Sequence, residues 1–174
     1  MRQNEKNVSP MSNEGRNAYV IEHITNAMLE LLEEKELGEV SISELCDRAG
    51  VGRASFYRNY TTKEAILRAQ IDRLFHGWAA GAQGLTLGNM IESLFCHFAE
   101  NRAFYGLLNQ RGLIYLLKDS LMALCGPKPE QPKVEAYTSA FVAYTLYGWI
   151  EVWFARGMQE TPQEMAEMFK SQGL

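Results

Sequence analysis

Apolar residues recur at helical spacing along nearly the whole chain. Between residues 17 and 37 they fall three and four positions apart and form one stripe, namely Val20, Ile21, Ile24, Ala27, Met28, Leu31 and Leu32. This period is typical of an amphipathic helix, and Gly38 is where we expect that helix to end. No sustained alternation of apolar and polar residues occurs along the chain, so the pattern predicts an all-α protein.

Two short helices are predicted to follow, joined by a glycine-containing turn. Ser41 and Glu44 stand in the S-x-x-E arrangement of a capping box, which predicts a helix start at Ser41. Gly50 ends this helix and is expected to need a positive φ, whereas Gly52 precedes a second helix over residues 53–60. Two short helices with a tight turn, packed against a preceding helix, are the pattern of a helix-turn-helix.

The predicted organisation has four parts. They are a disordered arm over residues 1–15, a three-helix helix-turn-helix DNA-binding domain over 16–62, a connecting helix over 63–83 and a C-terminal helical effector and dimerisation domain over 84–174. Within the last part, a long apolar helix is predicted from about Val134 to Ala155. Thr161 and Pro162 predict the start of a final helix.

Composition and motifs exclude several classes of protein. Apolar residues make up 47% of the chain and charged residues 22%, as in an ordinary globular protein. The three cysteines form no C-x-x-C pair and the three histidines have no metal-ligand spacing, so we expect no metal and no cofactor. No nucleophile–base set or phosphate-binding glycine loop is visible, which argues against an enzyme. The polar N-terminus and the absence of a membrane-length apolar run favour a cytoplasmic protein.

Charge is distributed unevenly, although the net charge is only −4. Residues 22–47 carry eight acidic side chains against Lys35 alone, whereas residues 48–73 carry six basic side chains against two acidic ones. A local field matters more than the net charge when a partner docks on one face. The basic segment coincides with the predicted second helix of the helix-turn-helix, which favours a nucleic-acid partner.

The second helix carries the side chains that DNA recognition requires. Arg53 and Arg58 offer bidentate donors, Tyr57 a hydroxyl for a phosphate, and Asn59 an amide for adenine or the backbone. Ser55 is a further polar residue on this helix, and Lys63 at the start of the next helix is a candidate phosphate contact. The alternatives are a core tyrosine at Tyr57 and a solvated arginine face.

The run SISELCDRAGVGRASFYRNYTTKEAIL resembles the DNA-binding domain of bacterial TetR-type transcriptional regulators, through A-G-V, F-Y, an aromatic Tyr60 and T-K-E. The resemblance implies a homodimer on a double-stranded DNA operator, most often a repressor. It implies phosphate contacts for Tyr57 and Lys63 and a cap that touches the DNA backbone at Ser41. The residues it implies in the groove are Arg53, Ser55, Arg58 and Asn59. Gly52, however, stands where the family usually has Ser.

The C-terminal half resembles one subgroup of this family. The matching residues are Ile150, Trp153, Gly157 and the run from Thr161 to Ala166. That subgroup includes the regulator of dihydroxyacetone kinase operons, which senses through a protein partner. The resemblance leaves two possibilities open for the C-terminal half: an unknown small-molecule effector, or a regulator that docks a partner protein.

The predicted long C-terminal helix is apolar on most of its surface, which favours a homodimer interface. The interface candidates are Tyr137, Ala140, Phe141, Tyr144, Gly148 and Trp153. Glu151 lies among apolar residues of the same helix and is the candidate effector-sensing carboxylate, with Arg156 or Arg102 as an alternative ion-pair partner.

Overall fold

In a computed structural model, which describes residues 13–172, every regular element is helical. In chain order the helices are α1 (Asn13–Glu34), α2 (Ile42–Ala49), α3 (Arg53–Asn59), α4 (Lys63–Gly81), α5 (Leu87–Glu100), α6 (Arg102–Gln110), α7 (Leu116–Cys125), α8 (Lys133–Ala155) and α9 (Pro162–Ser171). A 3₁₀ turn over Leu37–Glu39 lies between α1 and α2. The prediction of an all-α protein is confirmed.

The first helix differs from its prediction at both ends. α1 begins at Asn13, so the predicted disordered arm is wrong for residues 13–15, while residues 1–12 lie outside the described part of the chain. α1 ends at Glu34, four residues before Gly38. The helix ends early because Leu37 turns inward and is buried, and the 3₁₀ turn allows that change of direction.

α1 packs against the three helices that follow it and forms the core of the N-terminal part. The buried side chains at this junction include Ile24, Met28, Leu31, Leu45, Phe56, Ile66 and Leu67. The predicted capping box of α2 is half formed, because Ser41 Oγ accepts from the Glu44 N–H (3.1 Å) while the Glu44 carboxylate pairs with Lys35 (2.6 Å). At α9 the capping box of Thr161 and Glu164 is complete.

The C-terminal helices continue the same apolar core. α5 packs on α9, α4 on α7, and α8 on both α6 and α7. One cluster of buried apolar residues extends from α1 to α9, with Phe95, Phe98 and Tyr105 at its centre. Because no break in the core marks the boundaries at residues 62 and 83, that division of the chain stays a prediction. Across residues 13–172, no helix has the length and hydropathy needed to cross a membrane.

Candidate nucleic-acid interface

The turn between α2 and α3 depends on a left-handed glycine. Gly50 has φ 64°, and the following N–H, from Val51, donates to the Cys46 carbonyl (3.0 Å). This arrangement is the Schellman ending, which satisfies free carbonyls at a helix end. The predicted positive φ at Gly50 is therefore confirmed, and the tight ending lets α3 start at once after the N-cap residue Gly52.

α3 divides into a buried face and an exposed face. Phe56 and Tyr60 are buried and fix the helix to the core, as the four-residue spacing predicts. Arg53, Tyr57 and Arg58 are exposed on the other side, and Tyr57 leaves 60% of its surface accessible. The alternative of a core tyrosine at position 57 is therefore wrong.

The two arginines of this face carry charge that no neighbouring carboxylate neutralises. Among residues 13–172, neither Arg53 nor Arg58 belongs to an ion pair, whereas Arg48 pairs with Glu34 (3.0 Å) and with Glu30 (3.5 Å). Of the three arginines between residues 48 and 58, one therefore balances the acidic end of α1 and two face solvent. Unpaired surface arginines can bind phosphate or guanine edges without first breaking an ion pair.

The polar residues on the flank of α3 are more constrained. Ser55 and Asn59 are half-buried, and Asn59 Nδ2 donates to the Ser55 carbonyl (2.9 Å). A bidentate contact to adenine needs both the nitrogen and the oxygen of an amide. In this rotamer one of the two Asn59 Nδ2 protons is engaged, so a contact to adenine must use the other proton together with the amide oxygen. Ser41 is exposed, and its oxygen accepts from the Glu44 N–H, so its hydroxyl proton is free to be donated.

The sequence predicts Lys63 as a phosphate contact, but in the structure its ammonium is already bonded within the chain. Its ammonium donates to the carbonyls of Leu37 (2.5 Å) and Val40 (2.6 Å), on the segment between α1 and α2. These bonds tie the start of α4 to the residues that lead into the helix-turn-helix. A phosphate contact through Lys63 therefore requires its third proton or the loss of one of these bonds.

A groove that the sequence does not predict lies between the start of α1 and α3. It has a volume of about 760 Å³, and Arg16, Tyr19 and Val20 line it together with Ser55 and Arg58. The sequence does not predict that Arg16 and Tyr19 lie beside the exposed face of α3, because only the packing of α1 against α3 brings them there. The one available signal was an arginine immediately before an amphipathic helix.

The long helix α8 carries a stripe of exposed apolar residues. Its large members, 54–76% exposed, are Val134, Tyr137, Phe141, Tyr144 and Val152. Gly148 lies on the same stripe, and Ala140 is half-buried at its edge. We call these seven residues the α8 stripe. Lys118 of α7 lies over the Tyr144 ring, with Nζ 5.0 Å from the ring centroid.

Trp153 does not belong to the α8 stripe. Its side chain is 2% exposed and packs edge-on against Phe95, with ring centroids 5.3 Å apart. Its indole N–H donates to the Glu160 carbonyl (3.1 Å). The prediction of Trp153 as an interface residue is therefore corrected: its position on α8 turns the ring into the core of the same chain.

The candidate effector residue Glu151 is exposed at the surface of α8. Its carboxylate accepts from the Tyr147 hydroxyl (3.3 Å), and neither predicted arginine partner reaches it. Arg156 pairs with Glu160 (3.0 Å), and Arg102 donates to the Gly157 carbonyl (2.5 Å).

The nearest apolar groove runs between α8 and α9 and measures about 660 Å³. The residues that line it include Trp149, Val152, Met165, Met168 and the Arg156–Glu160 pair, but not Glu151.

A buried polar pair lies beneath α4. His97 of α5 is within 2.9 Å of the Tyr105 hydroxyl of α6, and the His97 ring contacts Phe75 of α4. Burial lowers the pKa of His97 to about 4, and burial also raises the pKa of Tyr105. Both side chains are thus neutral at pH 7.

Two family models match the chain and together cover most of it. Residues 24–69 match the bacterial regulatory proteins of the tetR family, and residues 86–171 match a transcriptional regulator C-terminal region. The chain belongs to the TetR family. This assignment agrees with the α2–turn–α3 geometry, since residues 24–69 contain the helix-turn-helix and the start of α4.

Solved structures share this TetR fold at low sequence identity. Lin0861 from Listeria innocua has a TM-score of 0.74 and 15% identity over 95% of this chain and 94% of its own. A TetR transcriptional regulator from Streptococcus agalactiae has a TM-score of 0.64 and 18% identity over 91% and 96%, respectively. The fatty acid degradation regulator FadR from Bacillus halodurans has a TM-score of 0.54 and 15% identity over 84% and 90%. No curated protein matches the sequence.

Family membership confirms the coarse functional prediction. TetR regulators are DNA-binding transcription factors with a helix-turn-helix and are not enzymes, and the two family matches place this chain among them. α3 is the second helix of the motif, so its exposed side, which carries Arg53, Tyr57 and Arg58, is the candidate surface for DNA.

Proposed function

We propose that this TetR-family protein is a homodimeric repressor that binds a near-palindromic operator and leaves it when an effector binds the C-terminal half. The observation that carries the proposal is the exposed face of α3, where Tyr57 faces solvent and Arg53 and Arg58 form no ion pair with any residue between 13 and 172. Two such faces in a dimer would enter successive major grooves, about 34–36 Å apart.

The α8 stripe supports the dimer. A stripe of exposed aromatic and branched side chains on a 23-residue helix is costly in water unless a partner covers it. A second copy of α8 would present the same stripe, which is what a two-fold symmetric interface requires. The half-buried Gly148 and Ala140 would allow the two helices to approach closely.

Effector binding is proposed for the C-terminal half. The groove between α8 and α9 has the volume of a small-molecule site, and its lining combines apolar side chains with one Arg–Glu pair. A ligand there needs only to prefer the conformation that does not bind DNA. A hundredfold preference corresponds to about 2.7 kcal/mol. Effector sensing by Glu151 stays a prediction. Because Glu151 does not line the groove, its carboxylate would contact an effector only at the edge of the groove.

The alternative is a regulator whose C-terminal half docks a partner protein, as the resemblance to the dihydroxyacetone kinase operon subgroup implies. The family matches favour the DNA-binding regulator ahead of this alternative. Thermal unfolding across a panel of metabolites separates the two. A ligand that raises the melting temperature supports the groove, and Trp149→Arg should abolish that rise.

The DNA-binding surface is tested by a double substitution. Tyr57→Ala with Arg58→Ala removes one phosphate donor and one bidentate donor, so specific operator affinity should fall by about 100-fold or more. Arg156→Ala, which removes an exposed arginine far along the chain from α3, serves as the control. Fluorescence anisotropy at fixed salt measures both variants. Equal affinity of the double variant and the wild type would contradict the proposed docking face.

A further inference from the structure

We infer that Arg111, at the end of α6, is a positioning residue through which the C-terminal half holds the helix-turn-helix in place. Its guanidinium reaches the last turn of α1 and bonds to two main-chain carbonyls, those of Leu32 and Glu33, the second at 2.8 Å. The same group pairs with the Glu36 carboxylate (3.0 Å). Two main-chain acceptors of the α1 end and one carboxylate two residues beyond it therefore converge on one side chain.

α1 depends on this contact because its own residues do not supply donors for all the free carbonyls at its C-terminal end. The last four carbonyls of a helix lack intrahelical partners. At the end of α1 the carbonyl of Leu31 accepts from the Lys35 N–H (3.0 Å), and those of Leu32 and Glu33 accept from Arg111. The last turn of α1 holds no basic residue. Arg111 thus supplies both the missing donors and the positive charge that favours a helix C-terminus.

The base of the Arg111 side chain is fixed. Arg111 is the C-cap of α6, and Gly112, the residue after it, has the left-handed φ of 64°. The Leu113 N–H then donates to the Leu108 carbonyl (2.8 Å). This Schellman ending holds the backbone of residue 111 rigidly. The guanidinium is half-buried, which strengthens its bonds compared with those of a fully exposed arginine.

The other side of α6 is bound in the same manner to the end of α8. Asn109 Nδ2 donates to the Phe154 carbonyl (3.2 Å), and Arg102 donates to the Gly157 carbonyl (2.5 Å). α6 therefore connects the C-terminal end of α8 to the C-terminal end of α1 through side-chain donors. This connection sets where the helix-turn-helix stands relative to the α8 stripe, and so, resting on the proposed dimer, the separation of the two recognition helices.

Arg111→Met tests the inference, because it keeps much of the aliphatic length and removes every donor. Hydrogen exchange of the peptide covering residues 30–40, measured without DNA, should speed up about tenfold. Arg111→Lys should give an intermediate value, since a single ammonium nitrogen replaces three guanidinium nitrogens that each reach a different acceptor. Arg73→Met is the matched control: it removes an exposed arginine whose side-chain bond, to Gln70, stays within α4, and it should leave exchange at residues 30–40 unchanged.

The second readout is operator binding by the same variants. Arg111→Met should bind the wild-type operator about tenfold more weakly than the wild-type protein does. It should also discriminate less against operators whose half-sites are moved by one base pair. Unchanged exchange at residues 30–40 would overturn the inference, and so would faster exchange with unchanged spacing preference. If the wild type selects no operator, the proposed function fails, and the exchange measurement alone still decides whether Arg111 holds α1.

Discussion

Two glycines in the α2–α3 turn have opposite backbone requirements. Gly50 has φ 64°, where an L side chain is strained, whereas Gly52 has φ −75° and ordinary extended geometry. Space is open at both positions, so backbone conformation alone separates them. Gly50→Ser should destabilise the fold by roughly 1 kcal/mol. Gly52→Ser should stabilise it by a few tenths of a kcal/mol, because serine caps α3 better than glycine.

Urea unfolding of the two variants beside the wild type measures this difference directly. The two substitutions add the same atoms two residues apart, so each is the control for the other. Equal midpoints for both variants would show that the turn tolerates a side chain at Gly50 and that its left-handed geometry is not required.

His97 should make stability depend on pH in a defined window. Its folded pKa is about 4, below the ordinary value of 6.5, so the unfolded chain binds the extra proton first. Stability therefore stays constant above pH 6.5 with respect to this group and falls as the pH drops from 6.5 towards 4. The shift corresponds to a loss on the order of 3 kcal/mol at the acidic end.

Thermal unfolding between pH 4 and pH 7 checks this window. His97→Gln should flatten the dependence relative to the wild type while it retains a polar partner for Tyr105. His76→Gln changes an exposed histidine of α4 and should leave the loss of stability between pH 7 and pH 4 the same as in the wild type. Identical slopes for His97→Gln and the wild type would show that His97 titrates normally and is not buried as described.

At the residue scale, sequence predicts positions that local chemistry determines. The exposed face of α3 and the positive φ of Gly50 follow from spacing and turn geometry, and both are confirmed. The Lys63 bonds to Leu37 and Val40 could not be predicted, since they join residues 23 and 26 positions apart in the chain. Trp153 was misplaced because α8 is apolar around most of its circumference, so spacing alone did not distinguish core from surface.

At the scale of elements, the α8 stripe makes the strongest prediction. Phe141, 57% exposed, lies near the middle of the stripe. Phe141→Arg should place two charges against each other across a two-fold axis and raise the dimer dissociation constant by about 100-fold or more. Tyr115→Arg changes an aromatic residue that is 49% exposed and lies just before α7, outside the stripe, and it should leave the dimer unchanged.

Sedimentation velocity over a range of concentrations compares these variants with the wild type. We expect the wild type and Tyr115→Arg to be dimers and Phe141→Arg to be largely monomeric. A dimeric Phe141→Arg would place the interface elsewhere on the chain. A monomeric wild type would remove the dimer from the proposal altogether.

Element boundaries were predictable where a cap is encoded locally. Thr161, Pro162 and Glu164 start α9 as their order in the sequence implies. The end of α1 was not predictable, because the residue that completes it is Arg111 on α6, far along the chain. The sequence gives one indication of such a distant partner: the last turn of the helix is acidic and contains no basic residue.

At the scale of the whole molecule, the fold brings basic side chains from other segments next to the acidic segment of residues 22–47. Part of the acidic excess in residues 22–47 is balanced from outside that segment, by Arg48 of α2 and Arg111 of α6. Within the described part of the chain, Arg53 and Arg58 of α3 keep their positive charges unpaired. An acidic protein can therefore present a basic surface to DNA, since the local field at the docking face decides the encounter.

The most direct test of the central claim is selection of genomic DNA fragments by the purified protein at about 150 mM salt, where nonspecific phosphate attraction is weak. We expect the wild type to enrich a near-palindromic site whose half-sites lie about 10 base pairs apart, centre to centre. The variant that combines Tyr57→Ala and Arg58→Ala should no longer enrich that site. An absence of any enriched site, or enrichment that survives the double substitution, would contradict operator binding through α3.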